Sequence, residues 1–227
     1  LTTLGQGEKP DLPQPTTPFI TYGQWVNSLA ESPEIQKELE FWNDQVSSSE
    51  KFPLDFDNPA VISESTIDQS SFQLDPQLTD SLVSKIPKST NLKPEVVLIT
   101  ALALALYDWR KIKGFCLGLE SHGRGEKVPN MDVSRTVGWL TNYYPVRIDV
   151  DTTQSLNNSL ISVKHQLSEV PGDGLGYGVL RYIRQSPSLN QTPPIVFNYL
   201  GNLGSIASGR FDGLSMLGHS SRDDGSE

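Results

Sequence analysis

Gly114-Phe115-Cys116-Leu117-Gly118-Leu119-Glu120-Ser121-His122-Gly123-Arg124-Gly125-Glu126 runs from an apolar stretch straight into a cluster of titratable side chains. Gly114 to Glu120 predicts a short buried strand. Before it, Lys93-Pro94-Glu95 opens a helix over Val96 to Trp109. Val97, Leu98, Leu102, Leu104 and Leu106 surround that helix axis, which predicts burial on most sides. After it, Tyr143 to Val150 predicts a second strand, with Val146, Ile148 and Val150 alternating against Arg147 and Asp149. Strands set beside apolar helices imply an α/β fold, a layered mixed sheet with flanking helices.

Further out, Tyr22 to Leu29 and Pro33 to Val46 read as helices, the second capped by Ser32-Pro33 and apolar at Ile35, Leu39 and Trp42. Thr66 to Leu74 predicts a strand, and Asp75-Pro76 caps a helix carrying Leu78, Leu82, Val83 and Ile86. Ser155 to Val170 is an amphipathic helix, Gly174 to Ile183 a glycine-containing one, and Pro194 to Leu200 a strand. Residues 1–20, with Pro10, Pro13, Pro15 and Pro18, read as an extended linker, and the Gly- and Ser-rich residues 206–227 as loop or a truncated end.

Composition narrows the function classes. The 227 residues carry a formal charge of −9, which argues against nucleic acid, since phosphate binding wants clustered Lys and Arg. The longest apolar run, Val96 to Tyr107, is shorter than the roughly 20 residues of a membrane span. No signal peptide is expected at Leu1 to Gln14, so the expected compartment is the cytoplasm. Cys116 is the lone cysteine and reads as a buried structural thiol. His122, His165 and His219 are dispersed, so no metal site is expected. A Gly-x-Ser-x-Gly elbow is absent, and Gly172, Gly174, Gly176 and Gly178 alternate in a spacing that differs from the dinucleotide fingerprint. That glycine run reads as a loop packing closely against a neighbour.

Two groups of residues carry candidate chemistry. Glu120 ends the apolar strand, where burial would raise its pKa and suit it to proton transfer. The alternative is a strand-end carboxylate paired with Arg124 or Arg135. His122 reads as a loop-holding residue beside Gly123, Asp132 and Arg135 as a buried pair, and Trp139 as core. Asn198 and Tyr199 lie on opposite faces of the last strand and can act as donors into a cavity, the alternative being a satisfied core tyrosine.

Together these segments resemble the epimerization domains of nonribosomal peptide synthetases, relatives of their condensation domains. The family's E-G-H-G-R-E motif corresponds to Glu120-Ser121-His122-Gly123-Arg124-Gly125-Glu126, with Ser121 in place of a glycine and Gly125 added. R-T-V-G-W-F-T corresponds to Arg135-Thr136-Val137-Gly138-Trp139-Leu140-Thr141. The glycine-alternating motif corresponds to Gly174-Leu175-Gly176-Tyr177-Gly178-Val179-Leu180-Arg181-Tyr182, and F-N-Y-L-G to Phe197 to Gly201. The family's H-H-x-x-x-D-G motif does not occur in this sequence.

The resemblance implies a chloramphenicol-acetyltransferase-like C-terminal lobe over residues 21–205, with residues 1–20 as linker from an N-terminal lobe. It implies a substrate held as an aminoacyl or peptidyl thioester on the phosphopantetheine of a peptidyl carrier protein, with no cofactor bound by this chain. Glu120 is then one acid/base and a histidine of the N-terminal lobe the other, so this chain alone is expected to be inactive. Tyr199 and Asn198 correspond to family residues near the site. His122, Arg124, Arg135, Trp139, Gly176 and Tyr177 shape the loops or meet substrate. A condensation lobe that forms peptide bonds, or a non-catalytic piece that docks carrier proteins, are the competing readings.

Overall fold

The computed structural model describes residues 6, 7, 9, 11–47, 52, 53, 68–124, 128 and 130–201. The expected loop over 206–227, His219, Gly125, Glu126 and the start of the strand expected from Thr66 lie outside the described residues. Residues Leu1–Phe197 form one compact unit and Asn198–Glu227 a second.

Helix α1 spans Phe19–Ser28 and continues through a 3₁₀ turn, Leu29–Glu31, into α2, Pro33–Ser47. α3, Pro76–Thr90, starts where the Asp75 carboxylate accepts the Leu78 amide and contains a π-type stretch, Ser81–Lys85. It stops at Asn91, whose backbone is left-handed, and α4, Pro94–Arg110, follows with Pro94 in its first turn. Strands β1, Gly114–Ser121, and β2, Asn142–Asp149, come next, then α5, Leu156–Ser168, capped by Ser155. A 3₁₀ turn, Pro171–Gly174, leads into α6, Leu175–Gly178, and a π-type turn, Val179–Ile183. β3, Ile195–Phe197, ends the first unit. No single helix among the described residues is long and apolar enough to cross a membrane.

Among the described residues the sheet runs β2–β1–β3, with β2 antiparallel and β3 parallel to β1. Phe115, Leu117 and Leu119 face Ile148, Val146 and Tyr144 across the β1–β2 pair, and all six are buried. Ile99, Ala103 and Leu106 of α4, Val163 of α5, and Trp42 and Val46 of α2 join them in one core. Fully burying a side chain of the Leu, Ile or Val size stabilises by about 1.5–3 kcal/mol, so this sheet face carries the fold. The expected alternation of Val146, Ile148 and Val150 against Arg147 and Asp149 is present.

The outer edge of β2 is closed by side chains. The Arg147 amide donates to Gln45 Oε1 (2.9 Å) and the Asp149 amide to Gln166 Oε1 (2.8 Å), while Gln166 Nε2 returns a bond to the Asp149 carbonyl. Pro145, which has no amide hydrogen to offer, sits two residues earlier on the same outward register. Glutamines from α2 and α5 thus satisfy an edge that would otherwise invite another strand.

Three expectations change. α4 is buried along one stripe, Val96, Ile99, Thr100, Ala103 and Leu106, whereas Ala101 and Ala105 face solvent. Val97, Leu98, Leu102 and Leu104 are half-buried and Trp109 is exposed, because the sheet covers only one side. Over its described part, residues 68–74, the strand expected from Thr66 to Leu74 has no regular structure, and Phe72 is 87% exposed. Alternation alone cannot make a strand where no neighbour supplies ladder bonds. The last strand covers Ile195–Phe197 only, so Asn198 and Tyr199 follow it rather than lie in it.

Candidate functional site

β1 is buried from Gly114 through Leu119, and then Glu120 emerges with its side chain exposed. The burial expected at this strand end is not found: Glu120 shares the strand face of Gly118 and Cys116, opposite the core-facing Phe115, Leu117 and Leu119. Tyr143, paired with Glu120 across the ladder, lays its ring over Gly118, where an added Cβ would meet its hydroxyl at 2.3 Å. Burial pushes the Tyr143 hydroxyl above its ordinary range. Cys116, deeper in the strand, is a buried thiol pushed up to about 11 by desolvation, which leaves it protonated and inert near neutrality.

The loop after Glu120 is held from within. His122 Nδ1 accepts the Arg124 amide at 2.9 Å, a bond within the loop. Gly123 has φ +63° and lies so close to Leu140 that an added Cβ would fall 1.7 Å from the Leu140 carbonyl oxygen. Arg124 then reaches across the loop. Its Nη1 donates to the carbonyls of Val133 (2.7 Å) and Thr136 (2.8 Å), and its Nη2 to that of Gly138 (3.2 Å). One guanidinium therefore fastens the 120–124 turn to the 133–140 turn. Beneath both lies a small second core of Tyr22, Val133 and Leu140.

The 133–140 turn in turn holds the chain's approach to α1. Thr136 Oγ1 donates to the Thr17 carbonyl (2.6 Å) and lies 3.1 Å from Thr16 Oγ1. The Thr17 amide donates to the Asp132 carbonyl (2.8 Å), and Arg135 Nη2 to the Gln14 carbonyl (2.5 Å). The expected buried pair of Asp132 and Arg135 is absent: both are exposed, and the Asp132 carboxylate instead accepts the Ser134 amide and hydroxyl, which hold it below its usual range. Trp139, expected in the core, is 77% exposed, and Val137 is 93% exposed. The turn directs its carbonyls to Arg124 and its small Thr136 inward, so its large side chains point out. A groove of about 510 Å³ opens beside them, lined by Leu12, Pro13, Pro15, Phe19, Arg135 and Val137.

Gly176 and Tyr177 belong to the packing between α6 and α2. An added Cβ on Gly176 would lie 1.9 Å from Glu38 Oε2, so the helices meet there with no room to spare. Trp42 Nε1 donates to that same Glu38 oxygen at 3.0 Å. The Tyr177 ring is fully buried 5.4 Å from the Trp42 ring, and its hydroxyl accepts from Arg181 Nη1 at 2.7 Å. Burial raises the Tyr177 hydroxyl, and Arg181 draws it partly back. The glycine run, read from its spacing as a loop that packs closely, is a left-handed turn only as far as Gly174; Leu175–Gly178 is helix, packed closely at Gly176.

Two residues that sequence reasoning passed over, Asn142 and Asp173, meet Ser121 at the end of β1. Ser121 Oγ donates to the Asp173 carbonyl at 2.8 Å, and Asn142 Nδ2 donates to the same carbonyl at 3.3 Å. The serine standing where the resembled motif has glycine was the available signal. Asn198 and Tyr199 fall in the second compact unit, whose described residues are 198–201, and Tyr199 is 37% exposed. Among the described residues no three His, Cys, Asp or Glu side chains gather as metal ligands.

Comparison with known proteins places this geometry in a family. One linear gramicidin synthase subunit from Brevibacillus parabrevis is 34% identical over 205 residues, 87% of this chain and 3% of that protein. One plipastatin synthase subunit from Bacillus subtilis (strain 168) is 34% identical over 215 residues, 91% of this chain and 8% of that protein. The chain therefore spans a small part of the curated relatives it matches. Among solved structures, the epimerization domain from the third module of tyrocidine synthetase B superposes with a TM-score of 0.76 at 28% identity, over 90% of this chain and 48% of that one. The family model described as "Condensation domain" matches residues 2–220, nearly the whole sequence, and the chain belongs to the condensation domain family.

Proposed function

We propose that residues 21–205 are the C-terminal lobe of an epimerization domain in a nonribosomal peptide synthetase, reached through residues 1–20 from the domain's other lobe. In this reading the substrate is an aminoacyl or peptidyl thioester on the phosphopantetheine arm of a peptidyl carrier protein. The reaction breaks the Cα–H bond beside the thioester carbonyl, moves its electron pair onto the carbonyl oxygen as an enolate, and returns a proton to the opposite face. Glu120 is one proton-transfer partner, and a histidine of the other lobe is the second. Asn198 and Tyr199 donate hydrogen bonds to the enolate oxygen. Arg124 and His122 hold the Glu120 loop, while Arg135 and Trp139 shape the surface beside it. Gly176 and Tyr177 pack the helix behind it. A carrier-linked substrate and a buried, protonated cysteine both fit the cytoplasm.

The observation that carries the reading is Glu120 itself: an exposed carboxylate at the open end of a strand otherwise buried, on a loop held by three carbonyl bonds from one arginine. Such a carboxylate is reachable by a substrate and fixed in place by its neighbours. The test is Glu120→Gln in the intact synthetase polypeptide, read as solvent deuterium entering the α-position of a carrier-bound aminoacyl thioester. Exchange should fall by about 10²–10⁴-fold with folding unchanged. Unchanged D/L equilibration overturns the assignment, and an amide product with retained configuration moves it to the condensation reaction. The 227-residue chain alone should bind a loaded carrier without turnover.

A further inference from the structure

The end of β1 is tied to a strained turn by a bond the signature motif does not provide. Gly172, Asp173 and Gly174 follow one another with φ of 55°, 54° and 82°, three consecutive residues in the left-handed region. Left-handed backbone is costly for a residue with a Cβ, so Asp173 needs its surroundings to hold it there. Two side chains help to do so: the Asp173 carbonyl accepts Ser121 Oγ at 2.8 Å and Asn142 Nδ2 at 3.3 Å. Ser121 and Asn142 are themselves opposite one another in the β1–β2 ladder, with Asn142 Nδ2 3.4 Å from Ser121 Oγ. On the far side of the turn, the ring of Tyr144 leaves no space for a Cβ at Gly174, the closest ring carbon being 1.9 Å from where it would stand.

The turn is therefore clasped between two residues of β2 and one of β1, and it feeds directly into α6. Ser121 is the residue after Glu120. We propose that Ser121 is a positioning residue for Glu120: its hydroxyl fixes the last peptide of β1 against the 172–174 turn and so sets where the Glu120 carboxylate is presented. This rests on the reading of Glu120 as an acid/base. A glycine at this place, as in the resembled motif, has no hydroxyl to make the bond.

Ser121→Ala and Ser121→Thr in the intact synthetase polypeptide test it, with α-deuterium incorporation and amide hydrogen exchange at residues 172–174 measured side by side. For Ser121→Ala, kcat for exchange should fall by roughly tenfold, as small displacements of an acid/base do. KM for the loaded carrier should stay within about twofold, and the 172–174 amides should exchange faster. Ser121→Thr, which keeps the hydroxyl, should restore both. Loosened amides with unchanged kcat overturn the proposal, as does a fall in kcat accompanied by a matching rise in KM. Should Ser121→Ala fail to fold, Ser121→Gly removes the hydroxyl as well, and unchanged kcat there overturns it equally. If Glu120→Gln proves active, the functional reading fails by itself, whereas amide protection still reports whether the tie exists.

Discussion

At the scale of single residues, the site depends on backbone places that only particular side chains can occupy. Gly123 is the sharpest case, with a left-handed backbone and the Leu140 carbonyl where a Cβ would stand. That obstacle is the main chain of the buried Leu140, so it cannot swing aside. Gly123→Ala in this chain should cost about 2–4 kcal/mol, combining left-handed strain with overpacking, measured as a lower denaturant midpoint. A loss under about 0.5 kcal/mol would mean the turn relaxes freely, as exposed loops do. The adjacent residues show why sequence carried only part of this. A hydrogen bond at His122 was readable, because an imidazole nitrogen beside a glycine turn has backbone amides within reach. The exposure of Glu120 was not readable, because a strand's end and the end of its cover need not coincide. Trp139 failed for a related reason: hydrophobicity places a residue inside only when the backbone turns it there.

At the scale of elements, α2 and α6 meet over a carboxyl group. Glu38 of α2 sits against Gly176 of α6 with its oxygen bonded to the Trp42 indole. Burial pushes the Glu38 carboxyl above the ordinary glutamate range, and the indole N–H opposes that shift. A carboxyl raised in the folded state binds its proton more tightly folded than unfolded. Its favourable contribution is therefore complete below the ordinary glutamate range and is lost as pH rises through the raised folded value. Glu38→Gln keeps an acceptor for Trp42 and removes the titration. The stability of Glu38→Gln relative to the parent chain should increase with pH just above the usual glutamate range and then level off. A difference that is flat with pH would show that solvent reaches the carboxyl unhindered. This contact was half legible: alternating glycines announced a close approach, while the partner, about 140 positions earlier in the chain, had no local mark. The long elements were legible throughout, α4 and β1 above all, because apolar runs and a first-turn proline are local signals. The strand expected from Thr66 was not, since a strand needs a neighbour that its own residues cannot specify.

At the scale of the whole chain, the two signature turns act as fasteners between segments far apart in sequence. Arg124 joins the 120–124 turn to the 133–140 turn, and the latter holds residues 14–17, about 120 positions upstream. An extended linker was the expectation for residues 1–20, from their prolines. The prolines do keep residues 11–18 free of helix and strand, yet the segment is strapped down. Thr136 is central to that strap, because it is buried and its hydroxyl meets both the Thr17 carbonyl and the Thr16 hydroxyl. Thr136→Val preserves shape and volume but leaves the Thr17 carbonyl without its side-chain donor. Loss of such a bond in a part-buried place costs about 1–3 kcal/mol. The expected signature is local: the Thr17 amide, bonded to the Asp132 carbonyl, should exchange faster, while amides in β1 and α4 keep their protection. Thr136→Ser should behave as the parent does. If the groove's apolar contacts with Leu12, Pro15 and Phe19 were what hold the strap, Thr136→Val would leave the Thr17 amide unchanged, and the motif's threonine would need another role.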